Sequence, residues 1–564
     1  MQKKMLERFL KQTEFTSMED FRRNFELRIP ENFNFAYDVM DVRAAEEPGR
    51  EAMLWVNDRG AERHITFGFL KEESDRVAGY FTSLGIGRGD MVMLILKRRF
   101  EFWPVMLALH KIGAVAVPAT FLLTEQDIVY RCKSAEIKAI VCCGEPQILS
   151  RVTSAEPKCP YLDHMISIGP EVPEGWEDYA SGVAAAKPWE RNGFKNASED
   201  PFLMYFTSGT SDEPKMVLHS HTYALSHLVT AAFWHNLSPE DLHLTYSDTG
   251  WGKAVWGKMY GQWIVGSRVF VYDHEKFVPS ELLEVMSKYK VTSFCAPPTI
   301  YRFLVRENIA DYDLSSLHYC TTAGEALNPA IFKRFHDLTG LWIHEAFGQT
   351  ETTLTLGTFP WVEPRPGSMG VPCPAYDIDI VRPDGTSARP GESGVIAIRT
   401  GASKPAGLFL GYYRNPKLTR KAWHDGVYYT GDVAYKDDDG YFWFLGRDDD
   451  LIKTSGYRVS PFEVESAVMT HPAVVECAVT GVPDPEGLRG TVVKATIVVS
   501  KEYRRLLSDP EKRKQLVKDI QNHAKRQTAP YKYPRIIVFA ESLPKTISGK
   551  IRHVEIRRRD ARHA

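Results

Sequence analysis

No C-x-x-C pair occurs among the eight cysteines of this 564-residue chain, and only Cys142 and Cys143 are neighbours. That scatter argues against a zinc site or a disulfide framework and reads as reduced, mostly buried thiols. Charge of one sign is not in excess either: 70 Lys and Arg stand against 72 Asp and Glu, a formal net charge of −2. Nothing global therefore points to nucleic acid or an anionic membrane, and any phosphate binding must be local. A long hydrophobic run is also missing. The most apolar stretch, 102–123, carries His110 and Lys111 in its middle, and the opening MQKKMLERFLKQTEF has neither an apolar segment nor a small-residue cleavage site. These absences predict no transmembrane segment and a cytoplasmic or similarly reducing location.

With 43% apolar residues the chain can fill more than one core, and its length exceeds a single one, so at least two domains are expected. MVMLIL (91–96) reads as a buried strand and RRFEFWPVMLALHKIG (98–113) as a helix interrupted early by Pro104. AVAVPA (114–119) then reads as a second strand, completing a βαβ unit. The pattern recurs at AEIKAIVCCG (135–144), at SRVFVYD (267–273) with SELLEVMSKYK (280–290), and at VTSFCAPP (291–298). The predicted class is α/β, with parallel sheets flanked by helices. Beyond residue 370 short strands and turn signals predict a compact β subdomain, in which KDDDG (436–440) is a hairpin turn, since the later ligands of a calcium loop are missing. After GRDDD (446–450) come new strands, a charged helix near 509–527 and a basic tail. A large N-terminal domain over 1–447 and a small α+β C-terminal domain over 448–564 are expected.

The stretch FTSGTSDEPKMV (206–217) gathers Thr207, Ser208, Gly209, Thr210 and Ser211 ahead of Lys215. Small hydroxyl residues around a glycine allow backbone N–H groups to converge on an anion, and the lysine adds a point charge. It lacks Walker A spacing, and alone it is equally a turn. Behind it stand GEA (324–326), HEAFGQTE (344–351), YTGD (429–432), GRDDDLIKTSGYRVSP (446–461) and LPKTISGK (543–550). Glu351 alone would be a surface acid, Lys550 a tail lysine and Asp432 a turn residue. Together and in this order, the segments resemble the adenylate-forming superfamily of acyl-CoA synthetases, luciferases and peptide-synthetase adenylation domains, from about residue 40 to 555. SDTGW (247–251), SGYRVSPFEVE (455–465), HPAVVE (471–476), LRGTVVKA (488–495) and APYKYPR (529–535) look closest to medium-chain acyl-CoA synthetases.

The resemblance implies that Thr207 to Ser211 and Lys215 embrace the β- and γ-phosphates of ATP, although Asp212 departs from a position often glycine. It implies Glu351 as a Mg2+ ligand, Thr350 on the α-phosphate, and Lys550 on the oxygens bridging carboxylate and phosphate. Asp432 and Arg447 would take the ribose, while Gly324, Glu325, Ala326 and Glu345, Ala346 and Phe347 would frame the adenine, with Gly348 and Gln349 also on ATP. A hinge is implied at Asp449, making the C-terminal domain mobile. CoA would meet Ser455, Gly456, Tyr457, Arg458, Arg489, Tyr533 and Arg535. The acyl pocket would use Trp251, Lys253, Trp256 and Gly348, the last standing where acetate-specific relatives carry tryptophan. His219 and His221, in LHSH, suggest a metal pair, but without a third ligand strand packing or substrate-side positioning is preferred. The expected activity is AMP-forming ligation of a medium-chain or branched fatty acid to diffusible CoA, with small molecules as partners, no nucleic acid, and room for a homodimer. An aryl-CoA ligase, a luciferase-like second step and a catalytically silent nucleotide-binding protein are the alternatives.

Overall fold

The structure, a computed structural model, describes residues 2–207, 213–401, 404–454, 457–485, 490–529, 532–545 and 550–563. Two large sheets dominate the chain up to residue 420. In one of eight strands, Met91–Ile95 lies between Val115–Pro118 and Ile137–Cys143, parallel to both. In the other, of nine strands, Ser293–Cys295, Tyr319–Ala323 and Ile343–Gly348 lie side by side in parallel. The helix Phe102–Ile112 is buried at every residue, and one apolar core joins it to strands of both sheets. Such all-round burial explains why its sequence lacks a polar face. Pro104 does not interrupt this helix. It falls in the first turn, where the backbone N–H has no intrahelical partner to lose. Gly113 ends it at φ +74, a left-handed conformation that glycine adopts without steric cost.

The β subdomain is a five-stranded antiparallel sheet with Val427–Lys436 paired to both Ser393–Arg399 and Phe442–Arg447. The segment 437–440 is the expected turn: Gly440 sits at φ +84 and donates to the carbonyl of Asp437 at 3.1 Å. A separate apolar core, running from Ile452 to Ala524, unites the helices Pro461–Met469 and Pro510–Gln527 with the strands Val474–Pro483 and Thr491–Val499. That C-terminal unit mixes antiparallel and parallel pairing, since Ile536–Phe539 joins Thr491–Val499 in parallel. Among the described residues no helix is long and apolar enough to cross a membrane.

Candidate active site

Strand register brings the site together. Ala323 pairs with Ala346 in parallel, so Gly324–Ala326 and Gly348–Glu351 leave neighbouring strands at the same end. Thr207 pairs with Lys215 where the antiparallel strands Pro201–Thr207 and Lys215–Ser220 meet. Asp432 pairs with Arg447, and their side chains meet at 3.3 Å. Ser208, Gly209, Thr210 and Ser211, with Asp212, lie outside the described residues.

Gln349 ties two of these segments to each other. Its amide donates to the Asp432 carboxylate at 2.5 Å and to the Thr430 carbonyl at 2.9 Å, while it accepts from the Tyr428 hydroxyl at 2.8 Å. Asp432 is 6% exposed. Burial pushes its carboxyl up, and the Arg447 guanidinium opposes that shift by favouring the anion. The next residue, Thr350, is fixed through its carbonyl, which accepts from His219 Nε2 at 2.8 Å. His219 and His221 are both buried, and desolvation lowers each imidazole to about 3. His219 thus acts as a neutral strut. His221 instead packs its ring 4.8 Å from that of Phe202.

Glu351 is 9% exposed and accepts a hydrogen bond from the Tyr412 hydroxyl at 2.8 Å. The Lys215 ammonium lies 5.3 Å from the centre of the Tyr412 ring, and burial lowers it while Glu351 opposes. Sequence reasoning missed Tyr412. Its only signal was a pair of tyrosines in GYYRN, remote from every recognised segment. Glu345, facing the same strand end, is buried with its carboxyl pushed up to about 8, held by one hydrogen bond from the Leu327 N–H at 2.7 Å.

Lys550 reaches the large domain: its Nζ donates to the Gly324 carbonyl at 2.6 Å. An antiparallel bridge joins Lys545 to Ile551 beside it, and His553 fastens the following helix to Glu465 at 2.7 Å. Lys253 donates to the neighbouring carbonyl, that of Ala323, also at 2.6 Å. Two ammonium groups from two domains thus cap consecutive carbonyls. Gly324 itself sits at φ +101, a conformation L side chains rarely adopt. Lys253 lies 5.0 Å from the centre of the Trp256 ring, which stacks on His235 at 5.9 Å and neighbours Trp234 at 5.9 Å. Trp251 precedes the short helix Gly252–Lys258 that carries Lys253 and Trp256. Gly348 has a reason to be glycine apart from an open pocket floor, because a Cβ there would fall 2.5 Å from the Thr353 carbonyl oxygen.

Of the residues expected to meet CoA, only Tyr533 and Arg535 have described side chains. Ser455, Gly456 and Arg489 lie outside the described residues, and Tyr457 and Arg458 contribute only the backbone of the strand Tyr457–Val459. Arg535 donates to the Tyr533 hydroxyl at 3.1 Å, and Lys525 lies 4.2 Å from that ring's centre, all within the C-terminal unit. Asp449 is exposed, in a turn whose neighbours bind opposite ways: Asp448 N–H to the Gly431 carbonyl at 3.0 Å, and Asp450 to Arg557.

Residues 40–413 match the family described as AMP-binding enzyme, and 463–550 match the AMP-binding enzyme C-terminal domain. The chain is 40% identical over 553 residues to acyl-coenzyme A synthetase ACSM3, mitochondrial, of Pongo abelii, covering 97% of this chain and 93% of that one. It is 39% identical to ACSM5, mitochondrial, of Homo sapiens, covering 94% and 91%. Among solved structures, an anthranilate CoA ligase, AuaEII, in complex with anthranoyl-AMP superposes with a TM-score of 0.85 at 27% identity, covering 95% and 98% of the two chains. A benzoate CoA ligase from Burkholderia xenovorans LB400 does so with 0.80 at 25%, covering 93% and 100%. The relatives named mitochondrial overturn the expected cytoplasmic location. Buried free cysteines and the lack of an apolar run fit any reducing compartment, so they could not choose among them.

Proposed function

Because the chain belongs to the AMP-binding enzyme family and carries its C-terminal domain, we propose that it is an AMP-forming acyl-CoA synthetase of medium-chain fatty acids, working in the mitochondrion. It converts ATP, a carboxylic acid and CoA to acyl-CoA, AMP and pyrophosphate through an acyl-adenylate. The observation that supports this reading is the bond from Lys550 to the Gly324 carbonyl, next to the Ala323 carbonyl that Lys253 holds. Relatives at 39–40% identity are acyl-CoA synthetases, whereas the aryl-acid ligases stand at 25–27%, so the aryl alternative is not favoured. A silent nucleotide-binding protein would have no use for both Glu351 and Lys550.

The chemical obstacle is that a carboxylate must approach an anionic phosphorus. Lys550 concentrates positive charge where the two meet, and the carboxylate oxygen attacks the α-phosphorus as pyrophosphate departs. Lys215, opposite Thr207 on the neighbouring strand, holds the outgoing phosphates. Asp432, an acceptor only when ionised, suits the two ribose hydroxyls, with Arg447 keeping it ionised and Gln349 fixing its rotamer. Glu351 would hold Mg2+: a buried hard carboxylate beside a phosphate site is the donor such an ion takes from protein, completing its shell with substrate oxygens and water. When bound, the ion neutralises phosphate charge. Thr350 is aimed at the α-phosphate by the strut from His219. Trp251, Trp256 and the Gly348 turn line the acyl chain, where each buried methylene adds about 0.8 kcal/mol.

The acyl carbon must then meet a thiol where Lys550 has just been. Rotation about Asp449 withdraws the lysine and brings Ser455 to Arg458 toward the site, with Arg489, Tyr533 and Arg535 gripping CoA phosphates. The test is incubation with ATP, magnesium and acids of increasing carbon number, following pyrophosphate and CoA-ester formation. Nucleotide binding without pyrophosphate release for any acid would remove the proposal.

A further inference from the structure

Lys253, half-buried, differs from the buried lysines of the large domain in what surrounds it. Lys97 is 4% exposed and meets Glu145 at 2.5 Å and Glu275 at 2.8 Å, and Lys111, fully buried, meets Asp75 at 2.5 Å and Asp41 at 2.9 Å. Lys253 has no carboxylate within ion-pair distance among the described residues, and its Nζ is held by a neutral carbonyl, Ala323 O. The titratable groups that face it are few. Cys295 is a buried thiol pushed up by desolvation, and the His235 imidazole is lowered by its own burial. Glu325 accepts from Thr299 at 3.2 Å, and Lys550 is a second cation. Desolvation pushes this ammonium down from its ordinary range, with Lys550 pressing the same way and Cys295 and Glu325 opposing. Lys258, buried and pushed down to about 7, shares the chemistry but faces Arg98 and Asp248 instead.

Position decides between the two. A Cβ built on Gly324 would stand 3.9 Å from Lys253 Nζ, and Gly324 is the residue Lys550 touches. Lys253 rides on the helix Gly252–Lys258 of the large domain, so it stays when the C-terminal unit turns away. We propose that Lys253 is the base of the second half-reaction: its neutral amine takes the thiol proton of CoA as the sulfur attacks the acyl carbon. The S–C bond forms, the bond from that carbon to the phosphate oxygen breaks, AMP leaves with the electron pair, and the proton ends on Lys253 as an ammonium. A free thiol is only a few per cent ionised near neutral pH, so a base at this point has work to do. Departure of Lys550 removes a neighbouring cation, and the affinity of Lys253 for a proton rises at the step that releases one.

This inference rests on the synthetase reading, and its test separates the two. Lys253→Gln and Lys253→Arg both retain a donor for the Ala323 carbonyl, but neither side chain can act as the base. Acid-dependent exchange of pyrophosphate into ATP reports the first half. Single-turnover thioester formation from supplied acyl-adenylate and CoA, between pH 6 and 10, reports the second. Both variants are expected to lose roughly 100- to 10,000-fold in the second half, well beyond any loss in the first. Their rates should then climb with thiolate concentration and approach the wild type above the thiol pKa. Near-normal thioester formation by Lys253→Arg would show that charge alone suffices and would overturn the proposal, as would equal losses in both halves. Absence of exchange by the wild type with every acid would instead refute the synthetase reading, and this inference with it.

Discussion

The Nε2 of His219 donates to the carbonyl oxygen of Thr350 across 2.8 Å, with the imidazole buried and its Nδ1 unpartnered among the described residues. Since the acceptor is a carbonyl, the tautomer carries its proton on Nε2, and desolvation keeps the ring neutral at any pH above about 3. The bond orients the loop that holds Thr350 and Glu351.

His219→Ala should therefore slow adenylation by about 10- to 100-fold, as expected for a buried hydrogen bond left half made. The rate profile between pH 5 and 8 should keep its shape, because the imidazole never titrates there. A change in that shape, measured by pyrophosphate exchange, would contradict the strut.

Tyr412→Phe removes the hydroxyl that bonds Glu351 at 2.8 Å. Loss of a hydrogen bond to a charged group costs about 1.5–3 kcal/mol, and it should appear as a higher KM for ATP with magnesium together with a lower melting temperature. Glu351→Gln, by contrast, should abolish pyrophosphate release altogether.

Lys550→Ala should eliminate adenylation yet largely spare thioester formation from a supplied acyl-adenylate. Equal loss in both steps would contradict a lysine that withdraws between them.

Glu345 makes folding pH-dependent in an unusual direction. Its folded value of about 8 lies above the ordinary 4.5, so the folded state binds a proton that the unfolded chain has given up. The stability it contributes is complete below pH 4.5 and is lost as pH rises to about 8. Glu345→Gln keeps an acceptor for the Leu327 N–H and should flatten this loss. Urea denaturation at pH 5 and pH 8.5 should show the variant gaining on the wild type by on the order of a few kcal/mol at the higher pH. An equal difference at both pH values would refute the assignment.

Much of this is legible in the sequence. The βαβ segments, the β subdomain and the separate C-terminal unit followed from hydrophobic periodicity and turn residues, because those signals are local. Asp432 and Arg447 were named from a resemblance, and their pairing is a matter of antiparallel register between neighbouring strands. What stayed hidden depends on tertiary folding. Tyr412 finds Glu351 only because Gly411–Tyr412 adds to the edge of the sheet beside Lys215–Ser220. Pro104 looks like a break because the start of a buried helix without a polar face cannot be located by periodicity. Lys253 and Lys550 converge from different domains, which no spacing along the chain expresses.

The bond between the tail lysine and Gly324 has a kinetic corollary. On the roles proposed, the amine occupies the approach the sulfur must later use, so pyrophosphate and CoA cannot reside productively on the protein together. Initial-velocity plots of ATP against CoA should accordingly give parallel lines, the signature of a product leaving before the last substrate enters.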